Sequence, residues 1–123
     1  MIGYVTLGTR DLARAAAFYD RLLEGLGAKR FMDTPRFILW SAGRGTAGLS
    51  VALPYDGQPH DRGNGQMAAL AVGSRDNVDR LHALALEMGG TDEGPVGERF
   101  PGFYAGYFRD LDGNKLNVFH MGR

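Results

Sequence analysis

One pattern runs twice through this 123-residue chain. An alternating apolar run leads into a short Gly-x-Arg-Asp segment, then a stretch with helical spacing, then further short apolar runs. The segment is Gly8-Thr9-Arg10-Asp11 in the first half and Gly73-Ser74-Arg75-Asp76 in the second. A unit this small cannot bury its own sheet face, so the two units are expected to pack together. The chain reads as a single domain over residues 1–123. Module one covers about 1–54, a linker about 55–65, and module two about 66–123.

In the first module, Ile2 to Gly8 alternates and carries the β-branched Ile2, Val5 and Thr6, which predicts a strand. Thr9 and Asp11 offer N-caps. Leu12, Ala15, Ala16, Tyr19, Leu22, Leu23 and Leu26 then recur at helical spacing, and Gly25 and Gly27 end the helix. Short strands are expected at Ala28 to Met32, Arg36 to Ser41 and Gly48 to Leu53. Pro54 to Gly65 is polar, rich in Gly and Pro, and without periodicity.

The second module restarts with a strand-like run from Gln66 to Val72. Ser74 and Asp76 are its cap candidates, and Val78, Leu81, Ala85 and Met88 its helical stripe. Strands are expected at Pro95 to Arg99, Phe103 to Phe108 and Leu116 to Met121. Gly89 to Gly102 reads as a long loop that could lie over a cleft.

Lys plus Arg and Asp plus Glu both number 14, so no basic surplus points to nucleic acid or an anionic membrane. No apolar run approaches membrane-spanning length, and the first residues lack the pattern of a signal peptide. The expectation is a cytoplasmic protein with no nucleic-acid or membrane partner. The absence of Cys excludes disulfides, thiol catalysis and thiolate metal sites. No Gly-x-Ser-x-Gly elbow surrounds Ser41, Ser50 or Ser74, and no phosphate loop is present.

The last two runs flank Arg109-Asp110-Leu111-Asp112-Gly113-Asn114-Lys115-Leu116-Asn117-Val118-Phe119. Asp112-Gly113 supplies the positive φ of a tight hairpin turn. Asp110 and Asp112 fit local turn bonding better than paired catalysis. This stretch resembles the closing hairpin of the vicinal-oxygen-chelate superfamily: glyoxalase I, extradiol dioxygenases, and bleomycin- and fosfomycin-resistance proteins. Asp11, Leu12, Ala15, Phe18 and Tyr19 resemble that family's first helix. The resemblance implies an α+β fold of two βαβββ modules, forming an open, curved mixed barrel around a cleft with the helices outside.

It also implies where metal ligands would stand. The family's closing hairpin carries a Glu where this chain has Asn117. The His of the opening strand is Tyr4 here, and the His opening the second module aligns with Met67, to within one residue. The fourth strand has no Asp, Glu or His between Arg36 and Pro54. The histidines offer no substitute: His60 reads as solvated, His82 as packed at a helix edge, and His120 as pointing away from the cleft. The expectation is therefore no metal and no cofactor.

Strand alternation puts Tyr4 and Thr6, Met67 and Ala69, and Asn117 and Phe119 on the cleft face. Trp40, Phe37, Phe103, Tyr104 and Tyr107 are further candidates whose parity the sequence leaves open. The ligand-binding set expected is thus Tyr4, Thr6, Trp40, Met67, Tyr104, Tyr107, Asn117 and Phe119. Such a lining suits a small aromatic or amphipathic molecule. The alternative implied by the resemblance is a glyoxalase-like lyase or dioxygenase. A homodimer is expected in either case.

Overall fold

The structure, a computed structural model, describes residues 1–122. They form two compact units that divide between Arg62 and Gly63. Each unit is one βαβββ module, so the protein is α+β, with two helices and two four-stranded sheets among the described residues.

Module one contains β1 (Tyr4–Gly8), α1 (Leu12–Glu24), β2 (Lys29–Asp33), β3 (Phe37–Ser41) and β4 (Gly48–Ala52). The sheet order is β1-β4-β3-β2, with β1 parallel to β4 and the other pairs antiparallel. A parallel pair needs a crossover, which α1 and the β2–β3 hairpin supply. The helix starts where a side chain can satisfy its free N–H groups. Asp11 is the N-cap, accepting from Arg14 N at 3.1 Å. The helix ends at Glu24, two residues before Leu26, and Gly27 takes a left-handed φ of 74°.

The buried stripe of α1 is Ala15, Ala16, Phe18, Tyr19, Leu22 and Leu23. Ile38, Trp40, Leu49 and Val51 meet it from the sheet; Trp40 pairs with Leu49 and Ile38 with Val51, so each pair shares a face. Trp40 is 1% exposed. Its ring lies 5.8 Å from Tyr19, and its Nε1 donates to Asp20 Oδ1 at 2.9 Å.

Module two contains β5 (Ala68–Ala71), α2 (Arg75–Glu87), β6 (Thr91–Phe100), β7 (Phe103–Arg109) and β8 (Lys115–Met121). Its order, β5-β8-β7-β6, repeats that of module one, again with the first and last strands parallel. Ser74 caps α2, accepting from Asn77 N at 3.1 Å. Val78, Leu81, His82 and Ala85 form the buried stripe. His82 Nε2 lies 3.1 Å from Tyr107 O, and its ring meets Phe108 edge-on at 6.4 Å. Beneath it sits Gly106, where an added Cβ would fall 2.9 Å from His82 Cδ2.

Four expectations are corrected. The repeat is displaced by two residues from the Gly-x-Arg-Asp match, because Asp11 corresponds to Ser74. Thr9 N bonds Ala52 O as Val72 N bonds Phe119 O, which fixes the same register. Gly89 to Gly102 is not a loop: most of it is the edge strand β6, which extends the strand expected at Pro95 to Arg99 to both sides. Its glycines fall at register shifts with β7, and an edge strand tolerates Pro95.

The β7–β8 connection is a five-residue loop rather than a two-residue turn. Asp110 Oδ1 accepts from Asp112 N and Asn114 N, both at 2.9 Å, so only Gly113 adopts positive φ. Lastly, His60 is not solvated. Gly57 N bonds Pro54 O at 3.1 Å and Gln58 N bonds Asp56 Oδ1 at 2.9 Å, turning the chain back onto module one. His60 is 8% exposed there, its ring against Gly8.

Candidate functional site

Each sheet has one face against its helix and one face free of it. In module one, the pairing of Thr6 with Ser50 and of Leu39 with Ser50 puts these three on the helix-free face. Thr6 Oγ1 and Ser50 Oγ are 2.7 Å apart. Tyr4, two residues from Thr6, shares that face and is 60% exposed. With Phe31, Leu39 and Gly48 it lines a cavity of about 510 Å³, closed on one side by the 43–46 loop. Trp40 belongs to the opposite, helix-packed face, and its hydrogen bond to Asp20 occupies its only polar atom.

In module two, Tyr107 and Ala69 both pair with Asn117, so all three occupy the helix-free face. Asn117 is 1% exposed, and its Oδ1 is buried without a hydrogen-bond partner. Phe119 shares the face and stacks on Phe103 at 5.3 Å, which stacks on Phe100 at 4.8 Å. The Tyr107 ring is flanked by the Arg99 guanidinium at 5.1 Å and Lys115 Nζ at 5.6 Å.

Tyr104 faces α2. Its hydroxyl donates to Asp79, whose carboxylate holds the phenol above its usual 10.0, and Arg75 lies over the ring at 4.8 Å. Met67 precedes β5 and is 46% exposed.

Of the expected residues, module one's helix-free face holds Tyr4 and Thr6, and module two's holds Tyr107, Asn117 and Phe119. Trp40 and Tyr104 lie on helix-packed faces. Sequence reasoning missed Ser50, Phe31 and Lys115. Parity from Thr6 would have found Ser50 once the parallel pairing was known. Phe31 sits at the β2 bulge, where alternation fails.

The profile of the Glyoxalase/Bleomycin resistance protein/Dioxygenase superfamily matches residues 1–118. The chain belongs to this superfamily. A glyoxalase/bleomycin resistance protein from Albidiferax ferrireducens is 33% identical, with 98% of each chain covered and a TM-score of 0.89. A family enzyme from Burkholderia phytofirmans shows the same fold at 19% identity, 97% coverage of each chain and a TM-score of 0.78. So does a lactoylglutathione lyase from Agrobacterium tumefaciens, at 22% identity, 98% and 92% coverage, and a TM-score of 0.71. No curated protein matches the chain.

The superfamily implies a divalent metal, and this donor set does not fit one. Thr6–Ser50 in module one corresponds to Ala69–Asn117 in module two, so the strand-four position is Ser50 and the strand-eight position Asn117. Module by module, the implied positions offer a phenol (Tyr4) and an alcohol (Ser50) in the first and a thioether (Met67) and an amide (Asn117) in the second. Such a site needs several N or O ligands at about 2.0–2.2 Å, with carboxylate charge to offset desolvation. Among the described residues, no three of His, Asp and Glu converge on a point that could hold an ion.

Proposed function

We propose that this protein is a metal-free member of the superfamily that takes up a small aromatic or amphipathic molecule on the helix-free faces of its modules. The observation that carries this reading is Asn117. A buried amide oxygen without a partner costs roughly 1–3 kcal/mol, and a ligand N–H or O–H that displaced the groups covering it would recover that cost. The cavity beside Tyr4 supports the reading, because its volume of about 510 Å³ suits a small organic molecule and Tyr4 and Phe31 offer ring faces to it. Metal-assisted lyase or dioxygenase chemistry would need donors that Tyr4, Ser50, Met67 and Asn117 do not supply.

A thermal-shift screen of aromatic metabolites and antibiotics tests the reading. A ligand at a hundred times its Kd stabilises a fold by about 2.7 kcal/mol. For a chain of this size that raises Tm by on the order of 10 °C. Tyr4→Ala and Asn117→Asp, each shown to fold, are expected to remove or alter the shift of any hit. A hit unchanged in both would place binding elsewhere. We also propose a homodimer, for which light scattering would give twice the 13.4 kDa chain mass.

A further inference from the structure

The geometry points to a second ligand site, on module one, for a small organic anion with a flat apolar body. It is built where the chain turns back after β4. Leu53 to Tyr55 and Gly57 to His60 make one wall of a cavity of about 510 Å³, and the entry to α1, Thr9 and Arg10, makes another. Arg36 closes it from the residue just before β3.

This cavity shares no lining residue with the one beside Tyr4, so it does not rest on the function proposed above.

The lining chemistry is one-sided. Two guanidiniums, Arg10 and Arg36, line the cavity, and no Asp or Glu does. Arg36 donates Nη2 to Leu53 O at 3.0 Å and lies 5.1 Å over the Tyr55 ring. Those contacts fix the guanidinium's plane without neutralising it, and a guanidinium has five N–H donors in a fork that matches a carboxylate.

Arg10 Nε reaches His60 O at 3.4 Å, which ties the second cation to the same wall. The body of the site is apolar, supplied by Leu53, Pro54 and the Tyr55 ring. Tyr55 is 93% exposed, a large ring held over an arginine with no core to fill. His60 lines the cavity as well, and its Nε2 is buried with no hydrogen-bond partner.

The wall itself is ordered rather than loose. Its turn is closed by the Gly57 N to Pro54 O bond, with Gly57 at a φ of 76° that favours glycine. The Asp56 carboxylate accepts from Gln58 N at 2.9 Å, which holds it within the turn, and it does not line the cavity. A ring carboxylate would lay its body on Tyr55 and Pro54 and aim its oxygens at Arg36.

Amide chemical-shift mapping on the full chain tests this, with benzoate as probe, benzamide as its neutral counterpart, and inorganic phosphate as a bare anion. Benzoate is expected to shift the amides of Thr9, Arg10, Arg36, Leu53, Tyr55, Gly57, Gln58 and His60 saturably. Benzamide should bind at least about tenfold more weakly, because the charge-assisted bonds are lost. Arg36→Gln, an exposed change that leaves the core intact, should weaken benzoate by a similar factor, and Tyr55→Ala by less.

Phosphate shifting the Arg36 amide but not those of Leu53 and Tyr55 would agree with an anion head group separate from the apolar body. The proposal is overturned if benzoate shifts none of these amides. It is equally overturned if benzamide matches benzoate, or if folded Arg36→Gln binds benzoate unchanged. Failure of the helix-free-face reading would show instead at Tyr4 and Asn117, residues this experiment does not alter.

Discussion

The His60 imidazole packs onto the Cα of Gly8, so closely that a Cβ added there would meet its Nδ1 head-on and lie 2.7 Å from Cε1. Gly8 has no left-handed φ to explain it, so the glycine is there for space. Gly8→Ala should therefore cost about 1–3 kcal/mol, the usual penalty for overpacking. In a His60→Ala background the same change should cost little. A denaturant double-mutant cycle measures the difference, and an equal cost in both backgrounds would dismiss the contact.

Asp20 ties α1 to its sheet. Arg30 Nη2 lies 2.7 Å from its Oδ2, and Trp40 Nε1 donates to Oδ1. The Arg30 hydrogen bond is the main reason its carboxyl sits below the usual 3.8. A carboxyl depressed on folding adds stability above its unfolded pKa and loses it as pH falls through the folded value. Wild-type Tm should therefore fall as pH drops below about 4, with part of that fall due to Asp20. Asp20→Asn should start from a lower Tm at pH 7 and show a shallower acid limb; parallel curves would reject this role.

Asn117→Leu tests the orphaned amide. Leucine fills a similar volume and removes the unpaired oxygen. Stability should rise by roughly 1 kcal/mol, seen as a Tm increase of a few degrees. A loss of stability instead would mean that the amide is satisfied within the fold.

Much of the fold was legible because its signals are local. Apolar spacing marked both helices, and Asp11 and Ser74 were visible as caps. The modules followed from the order of those elements. Of strand β6 only Pro95 to Arg99 was legible; its first half was hidden because bulged edge strands carry Gly and Pro as loops do. His60 was misread because a polar, aperiodic segment gives no sign that Gly8 leaves room for a ring.

Among the candidate residues, the shared faces of Tyr4 with Thr6 and of Asn117 with Phe119 followed from alternation, anchored by the family resemblance at Tyr4 and Asn117. Trp40 and Tyr104 did not, since a tryptophan or tyrosine with one polar atom suits a core or a pocket equally. Only the partners Asp20 and Asp79 decide between them.

Native mass spectrometry of the protein purified without chelator tests the central claim most directly, with Zn, Ni and Mn each added in turn and then with the hits of the thermal screen. The expected spectrum shows no stoichiometric metal adduct, and one small organic molecule per chain whose adduct Asn117→Leu removes. One metal ion per chain, lost in Asn117→Leu, would contradict the claim and restore this position to the superfamily's metal chemistry.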